Sequence, residues 1–165
     1  MKKFVSTLVI ACVPAFAFAT GQHQGEHAVG GHHMSDHNIT TMSGIGRPGD
    51  PTKVDRTIEV VMDDTMKFSP AQIEVKAGET IQFLITNSGN LDHEMVIGPL
   101  SELKAHAEDM KKTPGMQHVE PNMITLKPGQ RGDLVWTFDQ TGTVDFACLI
   151  PGHMEAGMVG KVKVN

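Results

Sequence analysis

From Thr57 onward, apolar and polar positions alternate with the period of a strand that has one buried face. Ile58, Val60 and Met62 share a face within residues 57–62, and Ile73 and Val75 alternate with Glu74 and Lys76. Residues 80–86, 95–97, 122–126, 132–138, 143–147 and 158–164 are further β-rich runs. Turn formers separate them, among them Lys76-Ala77-Gly78-Glu79, Asn87-Ser88-Gly89-Asn90, Lys127-Pro128-Gly129-Gln130 and Asp139-Gln140-Thr141-Gly142. About seven short strands at regular spacing predict an all-β sandwich or barrel. One segment breaks the period. Residues 101–112 read as a short helical insertion, with Ser101 as cap, Glu102 in the first turn, Lys111 and Lys112 in the last, and Pro114-Gly115 as the stop. His106 and Met110 lie four apart on one face of it. A surface helix that touches the barrel through Leu103 or Met110 is the simpler reading there than a second metal site.

The N-terminal third follows neither period. Lys2 and Lys3, the apolar stretch from Phe4 to Phe18 and the A-x-A site Ala17-Phe18-Ala19 predict a secretory signal over residues 1–19. Val9-Ile10-Ala11-Cys12 offers a rival reading as a lipoprotein box that would lipidate Cys12. The apolar run continues past it to a good cleavage site, so cleavage after Ala19 is the expectation. The compact Lys-Lys signal looks bacterial, which makes the periplasm the expected destination. No later stretch approaches the about 18 apolar residues of a membrane-spanning helix, so no membrane insertion is expected after cleavage.

Residues 20–52 form a leader of Gly, His, Ser, Thr and Asp containing His23, His27, His32, His33, His37, Met34 and Met42. Such a segment buries too little apolar surface to offset its ordering entropy, and disorder is expected. His-rich tracts are metal-binding candidates, against the alternative of an inert linker. Arg47-Pro48-Gly49-Asp50-Pro51 reads as a turn-rich hinge, so the folded domain is expected over residues 53–165.

Composition supports a metal reading. The chain has 9 His and 11 Met but no Tyr and one Trp. Its net charge of −5 becomes −7 once Lys2 and Lys3 leave with the signal, which argues against a nucleic-acid partner. Of the 2 Cys, only Cys148 lies outside the signal. A lone thiol is unusual in an exported protein, because oxidising compartments tend to pair cysteines. It stands in the pattern Cys148-x4-His153-x4-Met158, between a predicted strand end and a predicted strand start. One turn therefore delivers a thiol, an imidazole and a thioether to one place. Two imidazoles, a thiolate and a weak axial thioether form the donor set of a type 1 copper site. His93, after an earlier strand, can reach the same end of the sandwich and supply the second imidazole. Met154 rivals Met158 as the thioether, but it directly follows His153 and should point away. Zinc fits less well, since structural zinc sites favour several Cys and His and rarely use Met.

The stretch Thr141-Gly-Thr-Val-Asp-Phe-Ala-Cys148-Leu-Ile-Pro-Gly-His153 resembles the approach to copper in cupredoxins such as azurin and plastocyanin. Phe68-Ser-Pro70, followed by Ile73-Glu-Val-Lys-Ala-Gly-Glu-Thr80, is similar to their early strands. The His- and Met-rich leader before one such domain looks most like the CopI-type periplasmic copper-tolerance cupredoxins. The resemblance implies a Greek-key β-sandwich with copper ligands His93, Cys148, His153 and Met158. Many members carry Asn or Ser just after the upstream His, where it ties the ligand loops together; here that position is Glu94. A carboxylate close to the metal would favour Cu(II) and lower the redox potential.

The expected function is copper handling and tolerance in the periplasm, with copper ions and a redox or copper-trafficking protein as partners. The alternative is an electron carrier between periplasmic redox proteins, with Ile150, Pro151, Met154 and Ala156 as a contact patch around His153. Catalysis is not the expectation, since the domain has no second His cluster of the multicopper-oxidase kind. A cuprous-oxidase-like activity at the single site stays open.

Overall fold

The computed structural model describes residues 44–112 and 119–165. Two five-stranded sheets face each other. The first runs β1 (Arg47–Pro48), β8 (Arg131–Thr137), β5 (Thr80–Asn87), β2 (Arg56–Asp63), β3 (Lys67–Ser69). The second runs β4 (Gln72–Val75), β10 (Val159–Val164), β9 (Gly142–Ala147), β6 (His93–Gly98), β7 (Met123–Leu126). β2 pairs with β5, and β4 with β10, in parallel; the other neighbours are antiparallel. This is the expected all-β sandwich with one helix.

The alternating pattern sets which face is buried. Val60 and Met62 on β2 and Ile81, Phe83 and Ile85 on β5 point inward, opposite Met95 and Ile97 on β6, Val144 and Phe146 on β9, and Val162 on β10. Each fully buried side chain of this size contributes about 1.5–3 kcal/mol. Gly160 on β10 has a packing reason: a Cβ there would lie 2.1 Å from Cζ of Phe146, whose ring crosses that position. Phe146 in turn meets Phe68 edge-on, with ring centroids 5.0 Å apart.

β6 departs from simple alternation, because all six of its residues are buried. Its outer face is covered by α1 (Leu100–Lys112), and Val96, Leu103, Ala107, Ala147 and Leu149 form a separate small cluster beneath that helix. The helix reaches the sheet through Leu103 and Ala107, one turn apart, while Met110 is half-buried. Ser101 is not the cap. The helix starts one residue earlier, and the carbonyl of Pro99 accepts from the backbone N–H of Glu102 at 2.9 Å and of Leu103 at 3.0 Å. The expected stop at Pro114-Gly115 lies outside the described residues.

The expected hinge is part of the sheet instead. Arg47 and Pro48 pair with Thr137 and Trp136 at the edge of the first sheet. Ile45, 4% exposed, accepts a hydrogen bond from Trp136 Nε1 at 2.7 Å, and Gly49 N–H donates to Val135 at 2.9 Å. The turn residues that suggested a hinge let the chain bend onto a free sheet edge, and the buried indole N–H gains its partner there. The earlier part of the leader, with His23, His27, His32, His33, Met34, His37 and Met42, lies outside the described residues.

Candidate metal centre

The loop between β9 and β10 is shaped by its own sequence. Ile150-Pro151-Gly152-His153 forms a turn in which His153 N–H donates to Ile150 at 3.0 Å and Gly152 has φ +91°. Pro at the second place and Gly at the third are what a type II turn requires. A second turn follows, with Gly157 N–H donating to Met154 at 3.0 Å. Met158 N–H then donates to His153 at 3.0 Å, and Cys148 N–H to Met158 at 3.1 Å. Cys148, His153 and Met158 are thus joined through the backbone, and all three are buried.

The two methionines of the loop diverge. Met158, 0% exposed, belongs to the main core with Cys148, whereas Met154 is half-buried and packs in the cluster beneath α1.

His93 arrives from another direction. It opens β6 rather than following a strand, and its ring points inward with no exposure. Two side chains hold the loop before it. Buried Asn87 donates from Nδ2 to the carbonyls of Leu91 at 2.8 Å and Leu126 at 2.9 Å, and accepts from Gly89 N–H at 2.9 Å. Asp64, in the turn between β2 and β3, accepts from the backbone N–H groups of Asn90 at 2.8 Å and Leu91 at 3.2 Å. Its Oδ1 also lies 3.2 Å from His93 Nε2.

The protonation states follow from these contacts. The Asn90 N–H is the main cause that brings the Asp64 carboxyl down to about 2, against partial burial, with Leu91, the Asn90 side chain and His93 adding to it. An ionised carboxylate only accepts, so the Nε2 of His93 faces Asp64 as a donor. Nδ1 is buried and has no hydrogen-bond partner. Burial, with a smaller push from the Glu94 carboxylate, raises the Cys148 thiol to about 12, although the N–H groups of Ile150 and Glu94 pull the other way. Burial first, and then the neighbouring His93, hold His153 below the usual imidazole range, so it is neutral at neutral pH.

The ligating atoms of His93, Cys148 and His153 all lie within 4.8 Å of one another. Cys148 Sγ is 3.3 Å from His153 Nδ1 and 3.4 Å from the backbone nitrogen of Glu94. The two imidazoles are 5.0 Å apart at their centroids and tilted by 55°. Two imidazoles beside one thiol, with a buried ring nitrogen left without a hydrogen-bond partner, fit a metal ion that accepts soft and borderline donors. The donor set suits copper, with the thiol losing its proton on binding.

Glu94 meets the site through its backbone, whose N–H approaches the thiol, while its carboxylate accepts from Thr125 Oγ1 at 3.2 Å. The charge of the buried Glu94 carboxylate reaches the site, where it adds to the upward shift of the Cys148 thiol. Among the described residues, His106 is not part of the cluster. Asp64 and Asn87 escaped the sequence reading, because their contacts to the site come from ordinary turn and strand-end residues.

The family profile described as copper binding proteins of the plastocyanin/azurin family matches residues 54–165. The chain is 45% identical to the copper-resistant cuproprotein CopI of Rubrivivax gelatinosus, over 100% of both chains. It is 32% identical to CopI of Vibrio cholerae, over 97% of this chain and 96% of that one. Among solved structures it is similar in fold to reduced auracyanin from Roseiflexus castenholzii, with TM-score 0.57, 24% identity and coverage of 68% of this chain and 98% of that one. Auracyanin B gives TM-score 0.60 at 19% identity, covering 74% of this chain and 99% of the other.

Proposed function

We propose, from the premise that the chain belongs to the plastocyanin/azurin family of copper-binding proteins, that it handles copper in the periplasm and protects against its excess. The single observation that carries the copper site is the buried cluster of Cys148 with two imidazoles, one of which keeps an unpartnered Nδ1. His93, Cys148 and His153 would hold the copper as strong ligands, with Met158 as a weak thioether donor. When bound, copper supplies one-electron chemistry by alternating between Cu(I) and Cu(II).

The chain's own residues do the rest. Backbone bonds among Cys148, His153 and Met158 hold three donors where a folded sandwich places them, so few groups must reorganise on binding. Core residues around Cys148 and Met158 exclude water. The tolerance role is supported by the names of full-length relatives, which are copper-resistant cuproproteins. Residues 1–19 direct export, and the His and Met residues of the leader gather copper ions.

Electron transfer is the second reading. His153 is the one imidazole of the pair with surface exposure, 9%, and exposed Pro151 and Ala156 with half-buried Ile150 lie on the same loop. That edge could face a periplasmic redox or copper-trafficking partner.

Two measurements test these readings. Adding Cu(II) should produce an intense thiolate-to-copper band that is absent in Cys148→Ala; a colourless wild type would sink the copper site. Deleting residues 20–43, which spares the docked strand β1, should lower copper tolerance while leaving electron exchange intact. Unchanged tolerance would favour the carrier.

A further inference from the structure

Asp64 lies in the turn between β2 and β3 of the first sheet, whereas His93 opens β6 of the second. The contact between Asp64 Oδ1 and His93 Nε2 therefore bridges the two sheets at the end where the metal-binding cluster sits. Capping the loop before His93 would account for the bonds from Asn90 and Leu91, but not for this one. The carboxylate meets the ring nitrogen of a fully buried imidazole while being itself one-third exposed. Space is reserved for it: a Cβ at Gly89 would lie 2.1 Å from Asp64 Oδ1 and 3.1 Å from the Asp64 backbone nitrogen.

We propose that Asp64 is a positioning residue for the copper centre, fixing His93 as the Nε2–H tautomer and making its Nδ1 a stronger donor that favours Cu(II). The proposal rests on the reading of His93 as a copper ligand. Its chemistry is general. A metal-bound imidazole donates its other N–H to an acceptor, and a charged acceptor leaves more electron density on the ligating nitrogen than a neutral carbonyl or water does. The same bond removes two rotational freedoms at once. The ring cannot flip without losing the carboxylate, and Asp64 cannot leave without losing the N–H groups of Asn90 and Leu91. The ring is thus oriented before copper arrives. Partial exposure of Asp64 screens its charge, so the effect on the metal is moderate.

The test uses the full-length chain. In the metal-free protein, nitrogen NMR of the imidazoles should report His93 as Nε2–H; an Nδ1–H tautomer would overturn the proposal. Asp64→Asn should keep the thiolate-to-copper band, weaken Cu(II) binding about 10- to 100-fold, change Cu(I) binding less, and so raise the reduction potential. Gly89→Ala, which displaces the carboxylate without removing it, should shift the potential in the same direction. Wild-type potential in Asp64→Asn would overturn the proposal. So would equal weakening of both oxidation states, since that marks loop support alone. If wild type itself forms no thiolate-to-copper band, the copper reading fails instead, and the tautomer measurement still decides what Asp64 does to His93.

Discussion

Cys148 donates its backbone N–H to the carbonyl of Met158 at 3.1 Å, directly after the β9–β10 ladder pairs Ala147 with Val159. The ligand loop from Cys148 to Met158 therefore begins and ends on one hydrogen bond, and both terminal side chains enter the main core. Met154, midway round the loop, leaves on the other side of the sheet.

This divergence separates the two methionines experimentally. Met158→Leu is expected to change the visible spectrum and raise the reduction potential, because a weak thioether donor is lost. Met154→Leu should leave both unchanged and cost less than about 1.5 kcal/mol in stability, as a volume-conserving swap in the cluster beneath α1. A spectral change confined to Met154→Leu would exchange their roles.

Copper binding should release a proton. The buried Cys148 thiol is held up to about 12, so it is protonated at neutral pH and must ionise to ligate. His153 is held below its ordinary range and contributes no proton near pH 7–8. Apparent Cu(II) affinity should then rise about tenfold per pH unit there, with one proton released. Calorimetry in buffers of different ionisation enthalpy measures this directly, and zero release would contradict a thiolate ligand.

The segment before β2 should stabilise the domain. A chain beginning at residue 44 is expected to be more stable than one beginning at residue 53, since the latter loses Ile45, β1 and the Trp136–Ile45 bond. Trp136→Phe should cost about 1–3 kcal/mol through the orphaned Ile45 carbonyl and the lost ring volume. Equal denaturant midpoints for the two chain lengths would show that β1 contributes nothing.

Acid stability should depend on Glu79. Burial alone would raise its pKa, but Arg56, at 2.9 Å and 3.3 Å from its two oxygens, and the Lys76 N–H more than offset that and lower it. A lowered folded-state pKa means stability that is present above the ordinary Glu value and lost as pH falls through the lower one. Glu79→Gln should therefore be less stable than wild type near neutrality, and the difference should shrink below about pH 4.5. Thermal unfolding across pH 3–7 measures both arms, and a difference independent of pH would contradict the linkage.

The strands were legible because period-two burial is written into consecutive residues. The loop was legible for a similar reason: Cys148, His153 and Met158 are close in sequence, and Pro151-Gly152 dictates the turn that gathers them. The helix was visible, but its first residue was not. The carbonyl that anchors it belongs to Pro99, and Ser101 is an ordinary helical residue.

What the residues alone determined was therefore the local chemistry: a β-sandwich, a soft donor set on one turn, and His93 as the partner imidazole. Tertiary structure decided how those donors are held. Asp64 reaches His93 across 29 positions and between two sheets, and Ile45 meets Trp136 across 91. Neither pair leaves a periodic trace, because hydrogen bonds between distant segments depend on where the packed core carries them.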